Sequence, residues 1–436
     1  MNSKILSNSI WMMLEKVVSI FGLIFVTSFV AKYVGPKIFG EIAFAVSIFQ
    51  IVQVLSQLGS DVLIFKRTSK KILSGILLIN ATFSIRIFIY LIVSLPILYF
   101  FYEKYEFNDF LFIFSIFVSC FFLSIDVVSI FNDARLQSKQ NTVINVIGLI
   151  VSLVIRWLIP YMKLQPVLLC IPIILTSMLP FFIRIYFYRH NFSIKSLSRR
   201  NAYKYKKYIV LCGSSLVISS LSVAIYPRLG MLILGSLEDK DVVGIFSVAV
   251  TLAGSWAFVC NSFITSSLPG IYNEKSDELS LKKAAFLNIV ITYFSSFVIV
   301  TTFFLGRYFI ELLYGINYSG SFFPLIILSI STFVSLLGTI SSRFITKYSG
   351  YSYLSKKMLI VTLLSVFFNY FFISLYGITG AVIATVSTEI ISLTLMNYFF
   401  KNKIIMKLHL LTIKNILNVN IGLSSLREVF SFRKGN

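Results

Sequence analysis

The chain has 436 residues, of which 57% are hydrophobic and only 13% are charged, and its mean hydropathy is +0.87. A soluble domain of this length needs far less apolar side chain to fill its core, so the composition excludes a soluble globular protein. The formal net charge of +22 would suit a nucleic-acid-binding protein. The basic residues, however, lie mostly in alternate loops between apolar stretches, which predicts a membrane topology and no nucleic-acid partner.

Apolar stretches of about 20 residues or more recur along the chain, each long enough to cross the hydrocarbon layer as a helix. The stretches are continuous and do not alternate with polar residues, which excludes a transmembrane β-barrel. We therefore predict an all-α polytopic membrane protein with twelve transmembrane helices. The predicted spans are 8–32, 38–60, 72–101, 108–131, 141–162, 165–188, 208–235, 241–267, 283–309, 322–346, 355–376 and 378–400.

The first break between spans reads "YVGPKIFGEIAFAV" at residues 33–46. The Gly35-Pro36 pair stops the first helix, because proline restricts the residue before it and cannot continue the hydrogen-bond ladder. Lys37 and Glu41 are expected at the wet interface, and Gly40 lets the second span begin close to a neighbouring helix. The segment is interpreted as a turn on the outer side of the membrane.

Basic residues fix the orientation of these spans. With both termini in the cytoplasm, the inner loops carry most of the loop cations, as in 66–71, 135–139, 189–207 and 347–357, and the outer loops lean acidic, as in 103–109. This is the positive-inside pattern, and it predicts a multi-pass membrane protein with cytoplasmic N- and C-termini.

The most basic of these loops contains "RRNAYKYKKY" at residues 199–208. It is interpreted as a cytoplasmic linker attracted to anionic membrane lipids. Binding of a nucleic acid or a protein partner is the alternative interpretation of this segment.

The basic linker divides the predicted spans into six and six. The domains are then residues 1–188 as an N-terminal six-helix bundle, 189–207 as the linker, 208–400 as a second six-helix bundle and 401–436 as a basic cytoplasmic tail. "FGEIAFAVSI" at 39–48 resembles "VGIFSVAVTL" at 243–252, which indicates a duplication. Because six is even, both halves enter from the same side, and we expect two parallel bundles around a central cavity that holds the substrate path.

Three segments carry a resemblance to a known family: "VGPKIFGEIAFAV", the exit of the second span "LGSDVLIFKR" at 58–67, and "VGIFSVAVTL". In placement and in helix order, the chain resembles the O-antigen and polysaccharide-unit flippases of the multidrug/oligosaccharidyl-lipid/polysaccharide exporter superfamily. The resemblance implies transport of an undecaprenyl-diphosphate-linked oligosaccharide from the cytoplasmic to the outer leaflet of the bacterial inner membrane, by alternating access coupled to an ion. It also implies a polysaccharide polymerase and a chain-length regulator as partners.

Charged side chains within the spans are the candidate functional residues, because each costs roughly 2.5 kcal/mol or more unless a cavity, a partner or a route to the interface stabilises it. Four basic residues lie deep in their spans and are the candidates for a cationic cavity that binds the substrate: Lys16, Arg86, Arg156 and Arg228. Arginine suits a diphosphate because its planar guanidinium group can donate two parallel hydrogen bonds to phosphate oxygens.

Three acidic residues are also buried by sequence position and are candidates for ion coupling: Glu15, Asp126 and Glu389. Alternatively, these acids pair with the deep basic residues and serve only helix packing. Three further arginines lie near helix ends, and their side chains are expected to extend to the interface: Arg184, Arg307 and Arg343.

The segment "YPRLG" at 226–230 places a deep arginine between a proline and a glycine. Pro227 removes a backbone hydrogen bond and Gly230 weakens the helix, so we expect a hinge of the kind that alternating access needs.

Several function classes are disfavoured. The chain has no GxxxxGK[ST] loop, its two histidines, His190 and His409, fall on the predicted cytoplasmic side, and its four cysteines show no metal-site spacing. We therefore expect no enzyme, no metal site and no cofactor. A drug or metabolite cation antiporter of the same superfamily stays open as an alternative, although it would need acids deep in the first bundle. The short outer loops weigh against a membrane-embedded polysaccharide polymerase, and the absence of two further spans weighs against a lipid II flippase.

Overall fold

The computed structural model describes residues 3–192 and 199–417, and every regular element in these ranges is helical. The first α-helices in chain order are α1 Ser3–Gln57, α2 Ser60–Lys70, α3 Ile72–Lys104, α4 Phe107–Ile125, α5 Val128–Ala134, α6 Ser138–Tyr161, α7 Cys170–Asn191 and α8 Arg199–Ile225. They are followed by α9 Leu229–Leu237, α10 Lys240–Ser255, α11 Ala257–Tyr272, α12 Asp277–Leu313, α13 Phe322–Lys347, α14 Tyr351–Leu393, α15 Leu395–Tyr398 and α16 Ile404–Leu417. Short 3₁₀ turns lie at Pro166–Leu169, Tyr226–Arg228, Ile316–Ser321 and Lys401–Lys403.

Ten helical segments in the described ranges are long and apolar enough to cross a membrane, so the multi-pass prediction is confirmed. Two of them contain a non-helical glycine, Gly35 with φ 78° in α1 and Gly377 with φ 53° in α14, where one helix ends and the next begins. Both lie at predicted breaks, and glycine reaches this left-handed region without a Cβ clash. The count of twelve spans stays a prediction.

Contacts between helices divide the chain into two compact units. The first unit comprises Met1–Gly244 and Leu313–Asn317, and the second comprises Ile245–Leu312 and Tyr318–Asn436. Helices α8 and α9 belong to the first unit by their contacts, although the repeat assigns them to the second bundle. The bundle boundary at 189–207 was inferred from the sequence repeat. Contacts between helices do not test a duplication, so this boundary stays a prediction.

Aromatic side chains of α1, α3 and α4 fill one core of the first unit. Tyr90 is fully buried between these helices, with its ring centroid 5.6 Å from that of Phe117. Its hydroxyl donates a hydrogen bond of 2.7 Å to the carbonyl oxygen of Phe117, which gives this polar atom a partner inside an apolar core.

Two glycines from the repeated segments allow α1 and α10 to approach closely in the first unit. Gly40 of α1 lies against α10, and Gly244 of α10 lies against α1. A Cβ at Gly40 would collide with the carbonyl oxygen of Lys240, and a Cβ at Gly244 would collide with the carbonyl oxygen of Pro36. The predicted close approach at Gly40 is therefore confirmed. The prediction that Glu41 lies at the wet interface is wrong, because the close packing leaves Glu41 only 2% exposed.

A buried ion pair connects α4 and α7. Arg184 of α7 forms a salt bridge with Asp126, directly after α4, and also donates to the side-chain oxygen of Asn145 on α6. The expectation that Arg184 extends to the interface is wrong, because its side chain is 4% exposed and its charge is stabilised by an acid inside the unit. Arg307, by contrast, is 70% exposed and pairs with Glu311 one turn later, and Arg343 is exposed.

In the second unit, the described part of the basic tail is folded onto the core. Ile405 and Leu408 of α16 are fully buried in a cluster that includes Leu336 and Phe344 of α13. His409 lies within 3.0 Å of the Ser341 hydroxyl and of the Tyr398 hydroxyl. Burial lowers the pKa of His409 to about 4, so this imidazole is neutral at pH 7. Residues 418–436 of the predicted tail lie outside the described residues.

Lys357 also differs from its predicted position in an inner loop. It lies within α14, is 5% exposed, and donates a hydrogen bond of 2.8 Å to the side-chain oxygen of Asn397. The loop prediction fails because α14 begins at Tyr351, before the apolar run itself starts.

Replacing Gly40 with valine should destabilise the protein by about 1 to 3 kcal/mol, because the new side chain must push two backbones apart. The thermal unfolding temperature in detergent would measure this loss. Gly338→Ala is the matched control, since a Cβ at Gly338 meets nothing within 4 Å. Equal unfolding temperatures for Gly40→Val and the wild type would contradict the close approach.

Replacing Arg184 with methionine should cost about 3 to 5 kcal/mol, because it leaves the buried Asp126 without its opposite charge. The double variant Arg184→Met/Asp126→Leu should recover most of this loss, since no uncompensated charge remains. Denaturation in detergent of both variants and of Arg307→Met, whose exposed ion pair contributes little, would measure the difference. A double variant as unstable as Arg184→Met would show that the pair is not what stabilises this position.

Candidate functional site

Arg228 lies in the turn that separates α8 from α9 in the first unit. The "YPRLG" segment forms a 3₁₀ turn over Tyr226–Arg228, because Pro227 cannot continue the hydrogen-bond ladder of α8. The Nε of Arg228 donates a 2.9 Å hydrogen bond to Oε1 of Gln50, and Nη1 donates 2.5 Å to the carbonyl oxygen of Ala224. Among the described side chains, no carboxylate forms an ion pair with this guanidinium.

Gln50 belongs to a polar stripe on α1 that sequence reasoning missed. Gln50, Gln53 and Gln57 follow the i, i+3, i+7 spacing, which places them on one face of α1. All three are half-buried. The signal is present in the sequence, because three glutamines at helical spacing within a membrane span mark a polar face, although none of them carries a charge. Arg228 and the glutamine stripe together form a cationic and amide-lined surface within the first unit.

Arg156 of α6 is the second deep arginine without an acidic partner among the described side chains. Its Nη2 donates to the hydroxyl of Thr176 at 3.4 Å, a long and therefore weak hydrogen bond. Its Nε is buried and has no hydrogen-bond partner. Thr176 donates its own proton to Ser152 at 2.6 Å and offers a lone pair to the guanidinium, so the 3.4 Å length of the contact is what makes it weak.

Arg86 of α3 is 1% exposed and fully engaged. Nε and Nη2 donate to the hydroxyl of Ser60 at 3.1 and 2.6 Å, Nη1 donates to the carbonyl oxygen of Ser124 at 2.9 Å, and Nη2 also forms an ion pair with Asp61. With every donor group occupied, the geometry favours the packing interpretation for Arg86. Its acid is Asp61, which the sequence analysis did not select.

The predicted acidic residues fall in three situations. Asp126 is the ion-pair partner of Arg184. Glu389 is half-buried in α14, close enough to Lys357 for the two charges to interact. The side chains of Glu15 and Lys16 lie outside those that the structure describes.

The three described arginines of the predicted cavity bind different partners. Arg86 donates to Ser60 and Ser124, Arg156 donates to Thr176, and Arg228 donates to Gln50 and Ala224. Of the predicted hinge residues, Pro227 is exposed in the 3₁₀ turn and Gly230 is buried at the start of α9. The helix is interrupted where the sequence predicts, and the hinge role itself stays a prediction.

Comparison with known proteins places these features in a family. Residues 5–273, more than half of the chain, match the family described as polysaccharide biosynthesis protein. The capsular polysaccharide biosynthesis protein CapF of Staphylococcus aureus is 26% identical over 219 residues, which are 48% of this chain and 54% of CapF. The matched region therefore spans about half the length of that relative.

Solved structures show the fold. An inward-facing multidrug resistance MATE family transporter of the MOP superfamily aligns with a TM-score of 0.65 at 17% identity, covering 92% of this chain and 95% of that one. The lipid II flippase MurJ in an inward closed conformation aligns with a TM-score of 0.63 at 17% identity, covering 98% and 96%. Together with the family match, these likenesses confirm the resemblance read from the sequence: this chain belongs to the polysaccharide biosynthesis protein family and has the fold of the MOP superfamily transporters.

Proposed function

We propose that this protein is a flippase that carries an undecaprenyl-diphosphate-linked oligosaccharide, an O-antigen or capsular repeat unit, from the cytoplasmic to the outer leaflet of the bacterial inner membrane. The observation that carries the proposal is the pair Arg156 and Arg228, two deep arginines that form no ion pair with a described side chain. The family match and the relative CapF, which is named for capsular polysaccharide biosynthesis, support the polysaccharide pathway.

The chemistry of the substrate explains why unpaired arginines matter. A diphosphate carries at least two negative charges, and moving them through a low-dielectric layer requires groups that replace their hydration. Guanidinium groups do so with paired, charge-assisted hydrogen bonds to phosphate oxygens. The side-chain amides of Gln53 and Gln57 both donate and accept, as sugar hydroxyls do, so the stripe suits the oligosaccharide.

A drug or metabolite cation antiporter is the second candidate, because a multidrug transporter shares the fold. Such a protein needs unpaired deep acids to hold a cation. In the first unit, Asp61 and Asp126 are each bound to an arginine and Glu41 is the one buried acid without an ion pair among the described side chains, whereas both Arg156 and Arg228 have no acid. This balance of charges favours an anionic substrate. A membrane-embedded polysaccharide polymerase is disfavoured by the short outer loops and by a fold shared with transporters.

The proposal includes the transport cycle. We infer alternating access of the two predicted six-helix bundles about a central cavity, with Pro227 and Gly230 as a hinge next to Arg228. Coupling to an ion would use an acid that titrates, and Glu389 is the candidate among the described side chains because Asp126 is held by Arg184. Both termini are placed in the cytoplasm, with a polymerase and a chain-length regulator as partners on the outer side.

Arg228→Ala and Arg156→Ala should each lower transport about tenfold or more, because each removes charge-assisted hydrogen bonds of about 1.5 to 3 kcal/mol to the diphosphate. Surface polysaccharide in cells that lack the native chain, measured at equal amounts of membrane-inserted protein, reports the loss. Arg307→Ala is the matched control, because it removes an exposed arginine that already has an acid, and it should retain transport. Full surface polymer in both Arg228→Ala and Arg156→Ala would overturn the assignment.

Gln50→Glu should also suppress transport, although it removes no cation. The new carboxylate would lie at the oxygen that now accepts from Nε of Arg228 and would pair with the guanidinium, which then no longer serves the substrate. Gln50→Leu is the control, since it leaves Arg228 charged and without a competing acid. Transport by Gln50→Glu at or above the level of Gln50→Leu, in proteoliposomes with a lipid-linked oligosaccharide, would contradict the role of Arg228.

A further inference from the structure

A cavity of about 710 Å³ lies in the first unit between α5, the start of α6 and the end of α7. Neither Arg228, Arg156 nor the glutamine stripe lines it. Among the described residues of its wall, none is acidic, and besides Arg184 and Tyr188 the polar ones are two cations and four amides: Asn132, Arg135, Gln137, Lys139, Gln140 and Asn191. The cavity is therefore built to receive negative charge and hydrogen-bonding groups.

Arg135 is held in the wall by aromatic rings and by no described carboxylate. Its guanidinium carbon lies 4.9 Å from the ring centroid of Phe192 and 5.3 Å from that of Phe131. Stacking uses the flat faces of the guanidinium and leaves the N–H donors at its edge for a ligand.

Lys139 also lines the cavity and belongs to the first turn of α6. Its Nζ is 5.2 Å from the ring centroid of Trp11, which positions the ammonium without neutralising it. The start of the 24-residue α6 adds the positive end of a helix dipole to the same place.

The nearby acids are engaged elsewhere. Asp133 accepts hydrogen bonds from Ser138 at 2.7 Å and from Asn141 at 2.8 Å. Asp126 is bound to Arg184, which forms part of the cavity wall. Two positive charges in the wall are thus left without a described acid to compensate them.

An exposed apolar stripe leads away from the cavity along α6. Val143 lines the cavity, and Ile147, Ile150 and Val154 follow at the helical spacing i+4, i+7 and i+11, with exposures of 41%, 43%, 49% and 50% in turn. This stripe lies within a membrane-spanning segment, so acyl chains cover it.

We propose that this cavity is a binding site for the headgroup of an anionic phospholipid, with an acyl chain of the same lipid lying along the stripe. Cations, amide donors and an adjoining apolar track match a molecule that has a phosphate and glycerol hydroxyls at one end and hydrocarbon at the other. The site lies on the side predicted to be cytoplasmic, where anionic lipids attract basic segments. It does not depend on the transport proposal.

Native mass spectrometry of the full chain, released from nanodiscs of equal parts phosphatidylglycerol and phosphatidylcholine, tests the site. We expect retained phosphatidylglycerol on the wild type and about tenfold less on Arg135→Ala/Lys139→Ala, the loss given by one charge-assisted hydrogen bond. Lys66→Ala/Lys70→Ala is the matched control, because it removes two exposed cations of the same predicted side that do not line the cavity. Its retention should stay within twofold of the wild type.

Equal retention in the cavity variant and the control, or equal retention of phosphatidylcholine by the wild type, would overturn the proposal. The proposal would also be overturned if the wild type retained inorganic phosphate while Arg135→Ala/Lys139→Ala retained as much phosphatidylglycerol as the wild type. The occupant of the cavity would then be a soluble anion. If Arg135→Ala/Lys139→Ala does not fold, Gln140→Glu places a negative charge in the wall instead. Reduced retention in Gln140→Glu supports the site, and unchanged retention rejects it.

Discussion

A guanidinium inside a hydrocarbon layer needs an opposite charge, a set of hydrogen-bond acceptors or water, because leaving it bare costs several kcal/mol. The first unit satisfies this constraint in two ways. Arg86 and Arg184 are each given an aspartate and several acceptors, and they connect helices. Arg156 and Arg228 are given only neutral acceptors, and this difference is the reason that we propose them, and not Arg86 or Arg184, as ligands of the substrate.

The same constraint explains the arrangement around these residues. Backbone groups in lipid must be satisfied internally, so the chain changes direction at single glycines and short turns instead of long loops. Small residues then let helices approach closely, as Gly40 and Gly244 do. Close packing excludes water from Asp126, which is 8% exposed, and makes its ion pair with Arg184 necessary.

Much of this architecture could be predicted from the sequence, because hydrophobic length alone identifies membrane helices and Gly35 and Gly377 mark breaks in the apolar pattern. The deep arginines were also visible as charges within apolar runs. The partners of the deep charges could not be predicted, because pairing depends on which helices meet. Arg86 forms its ion pair with Asp61, and Asp126 forms its ion pair with Arg184, which was expected to extend to the interface. The burial of Glu41 and Lys357 was not predicted for the same reason. A residue's position near the end of a span does not show which helix packs against its side chain. Gln50 was missed because it carries no charge.

The ion pair between Asp126 and Arg184 also bears on how the protein is made. Asp126 follows α4 and Arg184 lies in α7, so the ribosome delivers the acid well before its partner. An aspartate costs about 2.5 to 3.5 kcal/mol at the centre of a membrane helix and less toward its end, and Asp126 lies just past the last residue of α4. The mostly apolar residues of α4 outweigh this cost, so α4 can enter the lipid before α7 has been made. The full burial of Asp126 then has to wait for Arg184, and the ion pair forms only when α7 packs against α4.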